Sequence, residues 1–183
     1  MYIDSLKPGL NVFKSIGGRG IRIKARYFLK KKEAKKLMIE LKEKLESSID
    51  LGQPKMEVID FGEPPRIVLV DNEPLIIDYD GRYFLTVLGA LRYRPKSKRV
   101  VVDKGAIPYV MNGADIMRPG IVEVDENICK DDFVIVVEEE KQTPIAIGIA
   151  LDDGKNMKGD KGKVVKSIHY VGDKLWKFFT GTK

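Results

Sequence analysis

Few residues of this chain are equipped for covalent chemistry. Cys129 is the only cysteine and His169 the only histidine. A single cysteine cannot close an intramolecular disulfide, and one Cys with one His cannot assemble a zinc site. No nucleophile and orienting carboxylate flank His169 in a way that suggests a catalytic triad, so it is expected as a packed residue. Cys129 lies in a polar stretch and is given no role. Asp60, Asp78, Asp103 and Asp115 are available carboxylates, but no spacing among them indicates a paired acid/base site, and no Walker-type phosphate loop is present. The expectation is a protein that is not an enzyme, with no catalytic residue, no metal and no cofactor.

The residues that could meet a polyanion are more numerous. The net charge is +6, yet the stretch from Arg19 to Leu45 alone carries eleven Lys or Arg against three Glu. The positive charge is therefore gathered near the N-terminus while the remainder is slightly acidic, which is an electrostatic footprint. Within that stretch Lys31 and Lys35, and Lys32 and Lys36, stand four apart and so share a helix face. Such a face suits phosphate contacts, and it equally suits a helix that is merely solvated. A second candidate is the segment from Lys104 to Arg118. Glycines there let another backbone approach, free N–H groups at a helix start can hold a phosphate, and Lys104 and Arg118 flank the same stretch.

These residues need elements to position them. Ile21 to Arg26 alternates apolar with basic, as a half-buried strand does. Ala34, Leu37, Met38, Leu41 and Leu45 form one apolar stripe at helical spacing, and Ser47, Ser48, Asp50, Gly52 and Pro54 end that helix. Strands are expected over 55–61, 66–70 and 75–79, with Asp80-Gly81 as a tight turn into 82–85. Thr86 to Leu91 suits one or two helical turns. Residues 15–20, with three glycines, are expected as a loop. The first half thus reads as α+β, a helix on an antiparallel sheet.

Residues 94–98 form a short polar boundary containing Pro95. The second half opens with a strand over 99–103 and a short helix from Gly105 to Met111, closed by Asn112-Gly113 as a left-handed cap. An extended piece over 115–117 follows, then the Pro119-Gly120 turn. Phe133 to Val137, Ile145 to Leu151 and Val164 to Tyr170 read as barrel strands, with a Gly/Lys/Asp loop over 152–162. No apolar run approaches the ~20 residues that span a bilayer. The first residues lack the apolar core of a signal peptide. A cytoplasmic chain with no membrane contact is expected.

The run Val101-Val102-Asp103-Lys104-Gly105-Ala106, the short helix to Met111, and then Gly113-Ala114-Asp115-Ile116-Met117-Arg118-Pro119-Gly120-Ile121 resembles the signature of PUA domains. These are small RNA-binding β barrels found in archaeosine transglycosylases and pseudouridine synthases. The ending His169-Tyr170-Val171-Gly172-Asp173-Lys174-Leu175-Trp176 is similar to one branch in particular: the malignant T-cell amplified sequence family, its archaeal homologues and the related ligatin proteins. Members carry a basic N-terminal domain before the PUA domain, as this chain does. The resemblance implies a basic α+β domain over 1–94, a PUA pseudo-barrel over 98–176 and a tail over 177–183. It implies RNA as the partner, tRNA or rRNA or both. The small ribosomal subunit and a separate initiation-factor-like protein are further implied partners, and the chain is expected to be a monomer. The alternative is an RNA-targeting accessory for a tRNA- or rRNA-modifying enzyme. Carried over by position, Gly105, Ala106, Gly113, Ala114, Ile116, Met117, Arg118 and Pro119 form the expected RNA surface, with Lys104 and Lys163 added for charge. The Ile116-Met117 pair is also expected in the barrel core, and Trp176 as a plug on the barrel. Two departures stand out: Lys130-Asp131-Asp132 where the family has Gly-Asp, and the altered loop Gly159-Asp160-Lys161-Gly162-Lys163.

Overall fold

The computed structural model describes residues 21–45, 52 and 54–182. The loop expected over 15–20 and the helix-ending residues Ser47, Ser48 and Asp50 lie outside them. The first strand, β1, runs over Ala25–Phe28, later than the alternation at 21–26 suggested. All four of its residues are exposed, so burial did not set its place; pairing with the next strand did. Helix α1 (Lys31–Lys44) buries Leu37 and Leu41, and Leu45 is buried at its end. This is the stripe that the spacing predicts.

A meander follows: β2 (Met56–Asp60), β3 (Arg66–Val70), β4 (Glu73–Tyr79) and β5 (Arg82–Leu85). With β1 they make a five-stranded sheet in the order β1-β2-β3-β4-β5, antiparallel throughout. Asp80 and Gly81 both take positive φ, 54° and 79°, the two left-handed positions of the tight hairpin turn that their residue types favour. Helix α2 (Val87–Tyr93) is capped by Thr86, whose hydroxyl accepts from the Gly89 N–H at 3.0 Å.

The second sheet is mixed, in the order β7-β11-β10-β9-β6-β8. Its members are β6 (Arg99–Val102), β7 (Ile116–Met117), β8 (Ile121–Val124), β9 (Phe133–Glu138), β10 (Pro144–Ala150) and β11 (Lys163–Tyr170). Between β6 and β7 lies α3 (Ile107–Val110). Only β6 and β9 run parallel. Strand β8 has no clear sequence signal, because Val122 and Glu123 are both exposed on an edge. The residues expected as a tail from 177 begin inside a helix: α4 spans Lys174–Thr180, and its Leu175, Trp176 and Phe179 are buried. The Asp173 carboxylate caps it, accepting from the Trp176 N–H at 2.7 Å. Where a glycine was expected before β9, Asp131 takes a φ of 70°. Asp tolerates the left-handed region, so this departure leaves the turn intact.

Two cores explain the unbroken apolar runs. On β9, Phe133, Ile135 and Val137 join a cluster with Leu37, Leu41, Phe84 and Trp176, while Val134 and Val136 join Val100, Val110, Ile116 and Val164 in a second cluster. Val101 and Ile147 likewise face the first core, and Val102 and Ala146 the second. These strands are covered on both faces, so they read as continuous apolar stretches rather than alternating ones.

Candidate nucleic-acid interface

The segment after β6 folds tightly on itself. The Asp103 N–H donates to the Gly120 carbonyl at 2.9 Å. The Asp103 carboxylate accepts from the Ala106 N–H at 2.8 Å. The helix start expected as a phosphate cradle is therefore occupied by the chain's own carboxylate, and α3 is only four residues long. An anion there would meet Asp103 first. Gly105 and Ala106 remain at this turn, close beside Pro119-Gly120; a Cβ on Gly120 would lie 3.1 Å from that of Ala106.

Spacing decides which α3 side chains face water. Ile107 and Val110, three apart, lie on the inner face, and Val110 is 2% exposed. Tyr109 is thereby turned outward at 69% exposure, followed by Met111 at 40%. Neither residue was singled out from the sequence; the i, i+3 pair Ile107–Val110 is the signal that finds them. Gly113 closes the helix at a φ of 84°, and a Cβ there would come within 2.8 Å of the Tyr170 ring. Its role is thus backbone geometry and packing on Tyr170. Ala114 follows, its N–H donating to the Tyr109 carbonyl at 3.0 Å.

The next pair divides. Ile116 is buried in the barrel, whereas Met117 is 47% exposed. Lys163 lies opposite Met117 in the β7–β11 register, and its ammonium sits 2.6 Å from Asp115. Burial would raise the Asp115 carboxyl, but hydrogen bonds from Lys163 and the Ser167 N–H, with the Lys163 and Lys166 charges, hold it below its ordinary value. Lys104 is exposed, its ammonium 3.5 Å from Glu140.

Arg118 is tied to the chain itself. Its Nε donates to the Asn156 carbonyl at 3.0 Å, one terminal nitrogen to the Lys161 carbonyl at 3.2 Å, and the other to Asp152 Oδ2 at 2.6 Å. The guanidinium fork is spent on the loop before β11, and a Cβ on Gly162 would overlap it. Pro119 stays exposed beside it.

On helix α1, Lys31, Lys32, Lys35 and Lys36 are all exposed. None has an ion-pair partner among the described residues. His169 is 3% exposed, with Nδ1 2.7 Å from Asp173 Oδ2, a packed position. Cys129 is exposed. Among the described residues no group of three or more His, Cys, Asp or Glu is placed to hold a metal ion, and no helix is long and apolar enough to cross a membrane.

Comparison with known proteins fits this geometry. A family model described as PUA domain matches residues 98–171, and one described as a domain of unknown function (DUF1947) matches residues 25–93. An uncharacterized protein of Methanocaldococcus jannaschii is 46% identical over 160 residues, 86% of this chain and 99% of that protein. Translation machinery-associated protein 20 of Schizosaccharomyces pombe is 44% identical over 84 residues, 43% of this chain and 46% of that protein. A malignant T-cell-amplified sequence 1 homolog of Dictyostelium discoideum is 33% identical over 118 residues, 60% of this chain and 64% of that protein. Against these two eukaryotic relatives the match thus spans only part of their length. The crystal structure of a hypothetical protein from Pyrococcus horikoshii superposes with a TM-score of 0.78 at 37% identity, covering 85% of this chain and 99% of that one. With both segments matched in order and the whole of an archaeal relative aligned, the chain belongs with that protein to a family in which a DUF1947 domain precedes a PUA domain, and the malignant T-cell-amplified sequence proteins are among its homologues.

Proposed function

We propose that this chain is a non-catalytic RNA-binding factor of the cytoplasmic translation machinery, which docks on the acceptor end of tRNA, on small-subunit rRNA, or on both. The observation that carries the reading is the outward face of α3. Tyr109 and Met111 stand exposed beside a turn of small residues, Gly105 and Ala106, that admits a second backbone. An aromatic and a thioether held outward on a packed barrel suit stacking against the unpaired bases of a 3′ end. The lysines of α1 supply sequence-independent phosphate contacts that position the complex. The name of the fission-yeast relative, translation machinery-associated protein 20, supports the translation context. In this reading residues 1–94 form the basic positioning unit and 98–176 the PUA unit, and the chain acts as a monomer beside a separate initiation-factor-like protein on the small subunit.

The test is a filter-binding titration against tRNA with and without its 3′-terminal CCA, at two salt concentrations. Removal of CCA is expected to weaken binding, and Tyr109→Ala to abolish that difference. Base–aromatic stacking contributes about 1–3 kcal/mol, so the loss is expected at roughly five- to a hundredfold. Equal binding to both tRNAs would shift the target to rRNA. No measurable binding to either RNA at moderate salt would defeat the proposal.

A further inference from the structure

We infer that Phe28 is a second base-stacking site, for an unpaired nucleotide of RNA, built on the β1–β2 ladder and separate from the α3 surface. Strand alternation puts residues two apart on one face. Arg26 and Phe28 share a face of β1, and Phe28 stands opposite Glu57 of β2. The ladder continues one step, with the Leu29 N–H donating to the Met56 carbonyl at 3.0 Å. Lys30 still has extended backbone, φ −65° and ψ 148°, so the same register sets it opposite Lys55. Arg26, Phe28 and Lys30 from one strand thus share a face with Glu57 and Lys55 from the other.

The charges on that face are not balanced. Glu57 is consumed by Arg26, whose second guanidinium bond to it measures 2.7 Å. The Lys30 and Lys55 ammonium groups form no ion pair among the described residues, while their backbone N–H groups donate to Glu33 at 3.2 Å and to Asp71 at 2.9 Å. Phe28 stands one step along the ladder from that lysine pair, 54% exposed, with the Lys55 ammonium 4.6 Å from its ring centroid. The ring is therefore backed by a cation and open to solvent elsewhere. Phe28 belongs to neither buried core among the described residues, so core packing does not explain its aromatic ring. A flat apolar ring beside two ammonium groups that form no ion pair is complementary to a base and its adjoining phosphate. Lys31, the first residue of α1, continues the basic track onto the helix.

The site rests on the RNA-binding reading above but not on its PUA surface, so the two can be separated. The probe is an unstructured RNA oligonucleotide carrying 2-aminopurine, compared with the same strand annealed to its complement, and titrated into the full chain and into its Tyr109→Ala form. Phe28→Ala is expected to weaken single-strand binding roughly five- to a hundredfold in both backgrounds and to leave duplex binding unchanged. Phe28→Tyr is expected to keep most of the affinity. Phe28→Leu, which preserves apolar bulk, is expected to behave like the alanine variant. Lys30→Gln with Lys55→Gln is expected to lower the salt slope by about 0.7 for each phosphate that is no longer neutralised. Single-strand binding by Phe28→Ala equal to that of the unaltered chain would overturn the site. If CCA dependence on tRNA persisted alongside that result, the function proposed above would stand without it. Failure of the unaltered chain to bind any RNA would overturn both.

Discussion

At the scale of single residues, Arg118 shows how one side chain can look like a ligand contact and act as a tether. In the sequence it sits between Met117 and Pro119 in a segment read as an RNA surface. In the structure three of its five N–H donors end on Asn156, Lys161 and Asp152, so the fork is held to the loop. Lysine cannot reproduce a planar fork that reaches three acceptors. Arg118→Lys is therefore expected to leave the salt slope of RNA binding unchanged while loosening the loop. Charge-assisted hydrogen bonds contribute about 1.5–3 kcal/mol each, so losing one raises amide exchange over 156–162 by roughly ten- to a hundredfold, readable by hydrogen exchange. A drop of one in the salt slope with unchanged exchange would return Arg118 to the role of a phosphate contact. This tether was not legible in the sequence, because the partners lie more than thirty positions away, at the far end of two strands. Tyr109 was legible in principle: once Val110 is assigned inward, a helix of four residues has no inward position left for its neighbour.

At the scale of elements, α4 carries the clearest consequence of one cap. Asp173 accepts from the Trp176 and Tyr170 N–H groups and meets the His169 ring. Burial alone would raise this carboxyl; the His169 hydrogen bond and charge, with the two backbone donors, hold it below its ordinary value. A carboxyl whose pKa is lower in the folded chain contributes stability above its unfolded value, about 4, and loses it as pH falls through the folded value. Asp173→Asn keeps an oxygen for the cap but removes the charge. It is expected to flatten the dependence of the urea midpoint on pH below about 4. Asp173→Ala removes the cap as well and is expected to cost about 2 kcal/mol at neutral pH. An unchanged acid limb in the Asn variant would show that other carboxylates set it. Most strands and α1 could be read from the sequence because their apolar periodicity is the same quantity that burial selects. Strand β1 was read a few residues early and strand β8 escaped because their side chains are largely exposed and carry no burial pattern. Helix α4 escaped for another reason: what holds it is the Asp173 cap and the packing of Phe178 and Phe179 against Phe61, a contact over a hundred residues away that local spacing does not show.

At the scale of the whole molecule, the two matched segments share a core. Phe84 of β5 stacks on Phe133 of β9 with ring centroids 5.3 Å apart. The Arg82 guanidinium lies 4.7 Å over the same ring and donates to the Asp131 carbonyl. Trp176 and Phe179 of α4 belong to the cluster that contains Leu37 and Leu41 of α1. Helix α4 thus packs into the first core, while β11 just before it belongs to the second sheet. Unfolding one segment would expose the outer faces of β6, β9 and β10 to water, so the two are expected to unfold together. Thermal melts followed by Trp176 fluorescence and by far-ultraviolet circular dichroism should coincide. Phe133→Ala should lower both, since truncating a buried phenylalanine costs about 3–5 kcal/mol. For a chain of this size each kcal/mol moves Tm by roughly 2–4 °C, so the pair should fall together by about 6–20 °C. Were the Trp176 transition to separate from the loss of helix and sheet, the shared core would be too weak to couple them, and the α1 lysines and the α3 face would bind as independent sites joined by a linker. If the melts coincide, both surfaces sit on one framework. Phosphate binding by α1 would then raise the effective concentration of the α3 face at a nearby 3′ end. Neutralising Lys32 and Lys36 would consequently weaken tRNA binding without erasing its preference for an intact CCA.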